Sequence, residues 1–264
     1  MATPNIPGLL LDRAHPLTRG LVGWWPMNEG AGAGLRDVVT GQVSVGTNVA
    51  AGWRTGGPQG SAALFDGSND YAPFTVAGVF TGWSMVAWVR PDAWAAGSPF
   101  ESSIMGSYTN PPYARMFFGG SGLVGNQARI SVDNGYATLT TTVDQTLGRW
   151  IHVVGTCDAT AQRVYVNGAL IGSGAGGTMV STVGTYHIGA VNALGRYFTG
   201  AMCHARFYGR VLSAAEAAQL YAEPMAGARA PVGLSRAILF PSRPRSADRL
   251  HNRSHSKTYR RGES

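Results

Sequence analysis

Residues 148–172, GRWIHVVGTCDATAQRVYVNGALIG, carry the feature that most constrains the fold, three apolar runs joined by two tight reversals. The first run rises from Trp150 through Ile-His-Val-Val and ends at the polar Asp158-Ala-Thr-Ala-Gln162. The second climbs through Val164, Tyr165 and Val166. Asn167-Gly168 then places two residues that tolerate positive φ where a two-residue type I′ turn needs them. The chain is therefore predicted to fold straight back through Ala169-Leu170-Ile171.

The same grammar recurs from Leu21 to about Tyr208. Short β-rich runs occur at Ala62–Phe65, Tyr71–Val76, Trp83–Arg90, Arg115–Phe118, Arg129–Val132, Tyr136–Thr142, Thr185–Ala190 and Phe198–Tyr208, separated by Gly, Asn, Asp and Pro. A second hairpin is expected at Asn134-Gly135 in SVDNGYAT. Strands of this kind must bury one face against a second sheet, so the spacing argues for an antiparallel sandwich or jelly roll. The 37 glycines among 264 residues supply the turns such a fold needs, and 44% apolar residues suffice for its core. One helix stands out in RVLSAAEAAQLYAEP. Ser213 is an N-cap, Glu216 completes a capping box, Pro224 marks the stop, and Leu212, Ala217, Leu220 and Tyr221 form an apolar stripe that closes the end of the sandwich.

Several chemistries find no support. GSGLVG at 120–125 and GSGAGG at 172–177 fit a dinucleotide glycine pattern, but neither opens a helix in a βαβ unit. There is no Gly-x-Ser-x-Gly elbow, and His152, His187 and His204 fall singly in strands rather than at zinc-ligand spacing. Cys157 and Cys203 lie in apolar runs and are expected as buried free thiols. The start lacks a basic n-region and Gly8-Leu-Leu-Leu11 is short for a signal-peptide core, so the expectation is a chain without an export signal. No apolar run approaches the ~18 residues of a membrane span.

The net charge of +7 is local. Residues 1–224 hold 12 Arg against 12 acidic residues, whereas residues 225–264 hold eight Arg and Lys257 against Asp248 and Glu263, which is the entire excess. From Arg243 onward the tail is too polar to offset its own ordering entropy. Three units are therefore expected: an extended N-terminal arm at 1–20 with Pro4, Pro7 and Pro16, a β-sandwich at 21–224, and a basic tail at 225–264. Within the tail Arg243, Arg245, Arg249, Arg253, Lys257, Arg260 and Arg261 are candidate partner contacts, since arginine suits bidentate pairing with carboxylates or phosphates.

Five segments, GLVGWWPMNEGAGAGLRDVVTG, ALFDGSNDYA, GWSMVAWVRP, GRWIHVVGTCDATAQRVYVNGALI and YFTGAMCHARFYGRVLSAAEAAQLYAEP, resemble in order and spacing the laminin-G-like, concanavalin A-like domains. The resemblance covers residues 21–224 and implies a jelly roll of two large antiparallel sheets. Asp66-Gly67, Asn167-Gly168 and Gly200 carry over as fold-defining positions. The family divides into glycan or protein binders and hydrolases. Retaining hydrolysis needs two carboxylates about 5 Å apart, which on this fold alternate along one strand. None of Glu29, Glu101, Glu216, Glu223 and Glu263 has an acidic residue two positions away, so a non-enzyme is expected. No cofactor is called for, although calcium at the rim has weak candidates in Asp66, Asn69 and Asp70, oxygen ligands of suitable hardness. The alternative for those three is an Asx-stabilised turn. Trp94, Tyr108 and Tyr113, in the Gly/Pro-rich segment 91–114, are candidate glycan-stacking rings, with core packing or loop pinning as the equal alternative.

The runs HPLTRGLVGWWPMNEG and LYAEPMA are similar to laminin-G-like proteins encoded in phage genomes. That resemblance, with the absent leader and the charged tail, implies a non-enzymatic virion protein of a tailed bacteriophage, on the capsid or tail, contacting other virion proteins and assembling as an oligomer. A carbohydrate-binding adhesin module and a nucleic-acid contact through the tail are the alternatives.

Overall fold

The computed structural model describes residues 9–45, 52–93, 101–107, 114–119, 129–133, 138–142, 147–177, 183–191 and 196–229. In chain order the strands are β1 (Leu10–Leu11), β2 (Leu21–Trp25), β3 (Gly34–Arg36), β4 (Val43–Val45), β5 (Trp53–Gly57), β6 (Gly60–Asp66), β7 (Ala72–Val76), β8 (Gly82–Pro91) and β9 (Glu101–Ser107). There follow β10 (Ala114–Gly119), β11 (Arg129–Asp133), β12 (Thr138–Thr142), β13 (Ile151–Asp158), β14 (Ala161–Val166), β15 (Ala169–Ala175), β16 (Gly184–Ile188), β17 (Thr199–Tyr208), helix α1 (Ala214–Ala222) and β18 (Ala228–Arg229). Two antiparallel sheets form the sandwich. The larger has the order β15-β14-β13-β8-β17-β6-β5 with β2 also on β17, and the smaller the order β12-β11-β10-β9-β16-β7. The expected all-β sandwich is what forms. No helix among the described residues is long and apolar enough to cross a membrane.

The central strands of the larger sheet are buried on both faces. Along β8, Trp83, Met85, Ala87 and Val89 enter the core between the sheets, while Val86 joins a second cluster on the opposite face. Val153 and Val154 of β13, Val164 and Tyr165 of β14, and Phe207 and Tyr208 of β17 divide between the two clusters in the same way. The smaller sheet contributes Phe74, Ile104, Met116, Phe118, Tyr186 and Ile188 to the inner core. Helix α1 covers the second face with Ala217 and Leu220. Its capping box is formed: the Glu216 backbone N–H donates to Ser213 Oγ at 3.3 Å, and the Ser213 N–H donates to Glu216 Oε2 at 2.8 Å.

The β14–β15 hairpin turns at Asn167 (φ 50°) and Gly168 (φ 82°), the left-handed pair that the Asn-Gly sequence calls for. Asn167 also extends the neighbouring ladder. Its N–H donates to the His152 carbonyl at 2.9 Å, and its Oδ1 accepts the His152 N–H at 3.0 Å. The paired strands β11 and β12 flank the second expected hairpin, with Asp133 opposite Thr138, while Asn134-Gly135 lies outside the described residues. At Gly200 (φ 142°) a side chain would strike the Arg90 carbonyl, so only glycine lets β17 close onto β8 there.

The structure adds two features that no sequence pattern announced. Segment 91–114 is not simply a loop, because Glu101–Ser107 forms β9 in the interior of the smaller sheet, between β10 and β16. Ser102, Ser103 and Ser107 are buried there, which is why the segment lacks an apolar-strand signature. The sandwich also extends past the boundaries at 21 and 224. Strand β1 pairs with β18, the Asp12 N–H donates to the Gly227 carbonyl at 2.8 Å, and Leu9 and Met225 pack on Trp24. The two ends of the described chain are thus clamped side by side.

Beneath this clamp lies a buried polar cluster. The Arg206 guanidinium stacks 3.9 Å from the Trp24 ring centroid and donates to the Pro224 carbonyl at 2.5 Å. No carboxylate among the described residues forms an ion pair with it. His204 lies 6.4 Å from Trp24 between ring centroids, and His152 lies 5.3 Å from Trp88 and 6.0 Å from Tyr221. Burial first, and then the Arg206 charge, push both imidazoles down to about 3 from 6.5. Both histidines are therefore neutral in the fold.

Replacing Gly168 with Val should destabilise the protein by about 1–3 kcal/mol, because the turn requires positive φ. The new Cβ would also lie 3.1 Å from Ala218 Cα in α1. An unchanged thermal midpoint would contradict this account of the turn. The histidines set a pH dependence of definite sign. Their folded pKa values lie below the unfolded value, so their contribution is complete above about pH 6.5 and is lost as pH falls toward 3. Melting temperature should hold steady from pH 8 to 7 and decline between pH 6.5 and 5. A flat profile across that window would show that neither ring is buried neutral.

Candidate functional site

The residues that frame the site begin with Asp37, at the end of β3. Its carboxylate is 5% exposed and works as a structural bracket. Oδ1 accepts the backbone N–H groups of Trp24 and Val39, both at 2.9 Å, and Oδ2 accepts the Thr40 hydroxyl at 2.7 Å. Two backbone bonds finish the bracket: the Asp37 N–H donates to the Gln42 carbonyl at 2.8 Å, and the Val38 N–H to the Trp24 carbonyl at 2.9 Å. These contacts fix the β3–β4 hairpin onto β2. Strand β4 then runs near β7, an edge strand of the smaller sheet, without joining its ladder.

The space between them is a cleft of about 280 Å³. Val22, Trp25 and Phe74 supply its apolar lining, and Thr40, Gln42, Ser44, Thr75 and Thr185 its polar groups, with Asp37, Val43 and Pro73 completing the wall. Trp25 is 1% and Phe74 9% exposed, their centroids 4.5 Å apart, so these rings form a packed floor rather than an open platform. Thr40, Gln42, Thr75 and Thr185 are exposed. Thr75 and Thr185 are cross-strand partners, so their side chains share one face of the sheet. A small mixed cleft with hydroxyls and one amide suits a small polyol-like ligand, its volume falling just below the roughly 300–1,000 Å³ of drug-sized ligand pockets.

The outward face of the smaller sheet offers a less open alternative. Register places Arg115, Gly106, His187 and Pro73 in one row. The Arg115 guanidinium lies 4.6 Å from the Phe117 centroid, and Tyr71 meets His187 edge-on at 5.1 Å. Arg115, Phe117 and His187 are all buried. Burial holds the His187 imidazole below its ordinary pKa, so it presents no charge at neutral pH.

Of the residues singled out in the sequence, Asp66, Asn69 and Asp70 come together as a hydrogen-bonded turn. Asp66 Oδ1 accepts the Ser68 N–H at 2.7 Å and the Asn69 N–H at 3.3 Å, and Asp70 Oδ2 accepts the Asp66 N–H at 2.8 Å. Asp70 Oδ1 is buried and without a partner, and burial followed by the nearby Asp66 raises its carboxyl pKa. One oxygen of each aspartate is thus committed to backbone amides, and no metal-binding group of three His, Cys, Asp or Glu exists among the described residues. The contacts that form are those of the Asx-stabilised turn, the alternative given for these three residues. Trp94, Tyr108 and Tyr113 lie outside the described residues, as do Arg243, Arg245, Arg249, Arg253, Lys257, Arg260 and Arg261. Cys157 and Cys203 are buried thiols that form no disulfide.

The cleft itself was not visible in the sequence. Its walls come from residues 22–44, 73–75 and 185, which no motif joins, and the search for stacking rings passed over a site built from hydroxyls.

Comparison with known proteins places this architecture. Domain 4 of AbnA, a GH43 extracellular arabinanase from Geobacillus stearothermophilus solved with arabinotriose, superposes with a TM-score of 0.58 at 18% identity, covering 76% of this chain and 98% of that domain. A candidate carbohydrate-binding protein from Bacteroides ovatus gives 0.50 at 21% identity, covering 60% of this chain and 46% of that one. Trypanosoma rangeli sialidase gives 0.56 at 20% identity, covering 78% of this chain and 35% of the enzyme. The chain thus spans about half of the Bacteroides protein and a third of the sialidase, and at these identities the likeness is one of fold. No curated protein matches in sequence. Residues 66–218, more than half of the chain, match the family described as the concanavalin A-like lectin/glucanases superfamily, and the chain belongs to that superfamily.

Proposed function

We propose that the protein is a non-enzymatic carbohydrate-binding module whose ligand sits in the cleft between β4 and β7. The observation that carries this reading is the cleft's chemistry: four hydroxyl or amide side chains, Gln42, Ser44, Thr75 and Thr185, arranged over a rigid aromatic and aliphatic floor that Asp37 and Thr40 brace. Such groups donate to and accept from sugar hydroxyls, while Pro73, Val22 and Val43 offer apolar surface to the C–H side of a ring. The AbnA domain, nearly all of which this chain covers, was solved with an arabinose oligosaccharide, which adds support for a sugar-sized ligand.

Hydrolysis is not part of the proposal. Asp37, the carboxylate on the cleft wall, spends both oxygens on structural hydrogen bonds, and a glycosidase needs a second carboxylate across the bond to be cleaved. Outside the cleft, Glu216 is held by Arg210 at 2.6 Å, and these contacts keep its carboxyl below the ordinary pKa despite partial burial.

Placement on a tailed-phage particle is a narrower proposal, supported by the runs at residues 15–30 and 220–226 and by the charge of the tail. The side-by-side strands β1 and β18 suit either setting, since a module tethered at that edge keeps the rest of its surface free for ligand.

The test is calorimetric titration of the full chain with neutral oligosaccharides, with arabinotriose among them. Each hydrogen bond lost from a neutral pair is worth about 1 kcal/mol, roughly a fivefold change in affinity. The double variant Gln42→Ala/Thr75→Ala should thus bind at least tenfold more weakly at an unchanged melting temperature, and no reducing sugar should be released. Undiminished binding by that variant would place the ligand elsewhere, and hydrolysis would overturn the non-enzymatic assignment.

A further inference from the structure

Resting on the carbohydrate reading, we infer that the cleft selects uncharged oligosaccharides and rejects those bearing carboxylate or sulfate groups. The polar groups left open to a ligand are three hydroxyls and one carboxamide, from Ser44, Thr75, Thr185 and Gln42, since Thr40 spends its hydroxyl proton on Asp37. Among the described residues no Arg, Lys or His lines the cleft.

The charge that does border the cleft has the wrong sign for an anion. Asp37 is 5% exposed, and all three of its side-chain contacts are neutral N–H or O–H donors. Its field is therefore little screened at the wall and repels a carboxylate brought alongside. A bound acidic sugar would also surrender hydration that only cationic or multiple strong donors replace. Two cations lie nearby without lining the cleft: Arg36, the cross-strand partner of Val43, whose charge acts on the Glu29 carboxylate, and Arg13, whose guanidinium donates to the Val39 carbonyl at 3.4 Å. Neutral sugars meet none of these costs.

The basic tail would bind polyanions on its own, so the test must read occupancy of the cleft. A neutral trisaccharide that binds the full chain is displaced in competition titrations by trigalacturonate, by the methyl ester of that same trisaccharide, and by the pair lactose and 3′-sialyllactose. The expected result is that each acidic competitor is at least tenfold weaker than its neutral partner. Thr75→Lys, which sets a cation on the exposed cleft face, should narrow that gap. Acidic competitors as effective as their neutral partners would overturn the inference while leaving carbohydrate binding intact. An equal gap in Thr75→Lys would also count against it. If no sugar in either set binds, the carbohydrate reading itself fails and this inference falls with it.

Discussion

The fold hangs on a sheet whose central strands, β8, β13 and β17, are dry on both sides. Strand β8 sits between β13 and β17, paired from Ile151–Val89 to Asp158–Gly82 on one edge and from Gly200–Pro91 to Tyr208–Ser84 on the other. Its odd residues from Trp83 to Val89 face the second sheet, and the opposite side is sealed by α1 and the chain ends. Burial of both faces explains the nearly continuous apolar runs of these strands, where a sheet with one wet face would alternate. It also explains why the sheet has no tolerance for loose ends. The closing helix must be held down, and Arg206 does so by reaching the Pro224 carbonyl from within the buried layer.

That anchoring has an electrostatic consequence. A guanidinium stacked on Trp24, with hydrogen bonds to a carbonyl and a phenol rather than to a carboxylate, leaves a positive charge in a poorly hydrated layer, and its own pKa is lowered by that burial. Two imidazoles share the layer and stay neutral because a second charge there would meet both desolvation and repulsion. Stability of the helix-covered face and proton concentration are thereby linked through residues remote from the cleft.

The parts of this fold that were legible in the sequence are those with local physical causes. Asn167-Gly168 names its turn because few other pairs accept two positive φ values, and Ser213 with Glu216 names its helix start because each satisfies the other's backbone N–H. Strands such as Trp83–Arg90 announce themselves by apolar β-formers. Strand β9 did not, because Ser102, Ser103 and Ser107 occupy buried positions that sequence patterns assign to apolar residues. The β1–β18 clamp was hidden for a different reason: two-residue strands more than 200 positions apart carry no periodicity, and the proline-rich start looked like a free arm. The cleft combined both difficulties. Asp37 reads as an ordinary loop acid until its three donors are seen, and Thr75 becomes notable only beside Thr185.

The resulting picture separates a rigid frame from a small polar opening at its edge, where the β3–β4 hairpin is bracketed against β2 but does not complete the sheet at β7. The central claim is that this opening is where a sugar binds. Backbone amide chemical-shift mapping of the labelled full chain, titrated with a neutral trisaccharide, tests it most directly. The account predicts saturable shifts concentrated at Gln42, Ser44, Thr75 and Thr185, with little change along α1. Saturable shifts centred on another surface, with those four amides unmoved, would contradict it.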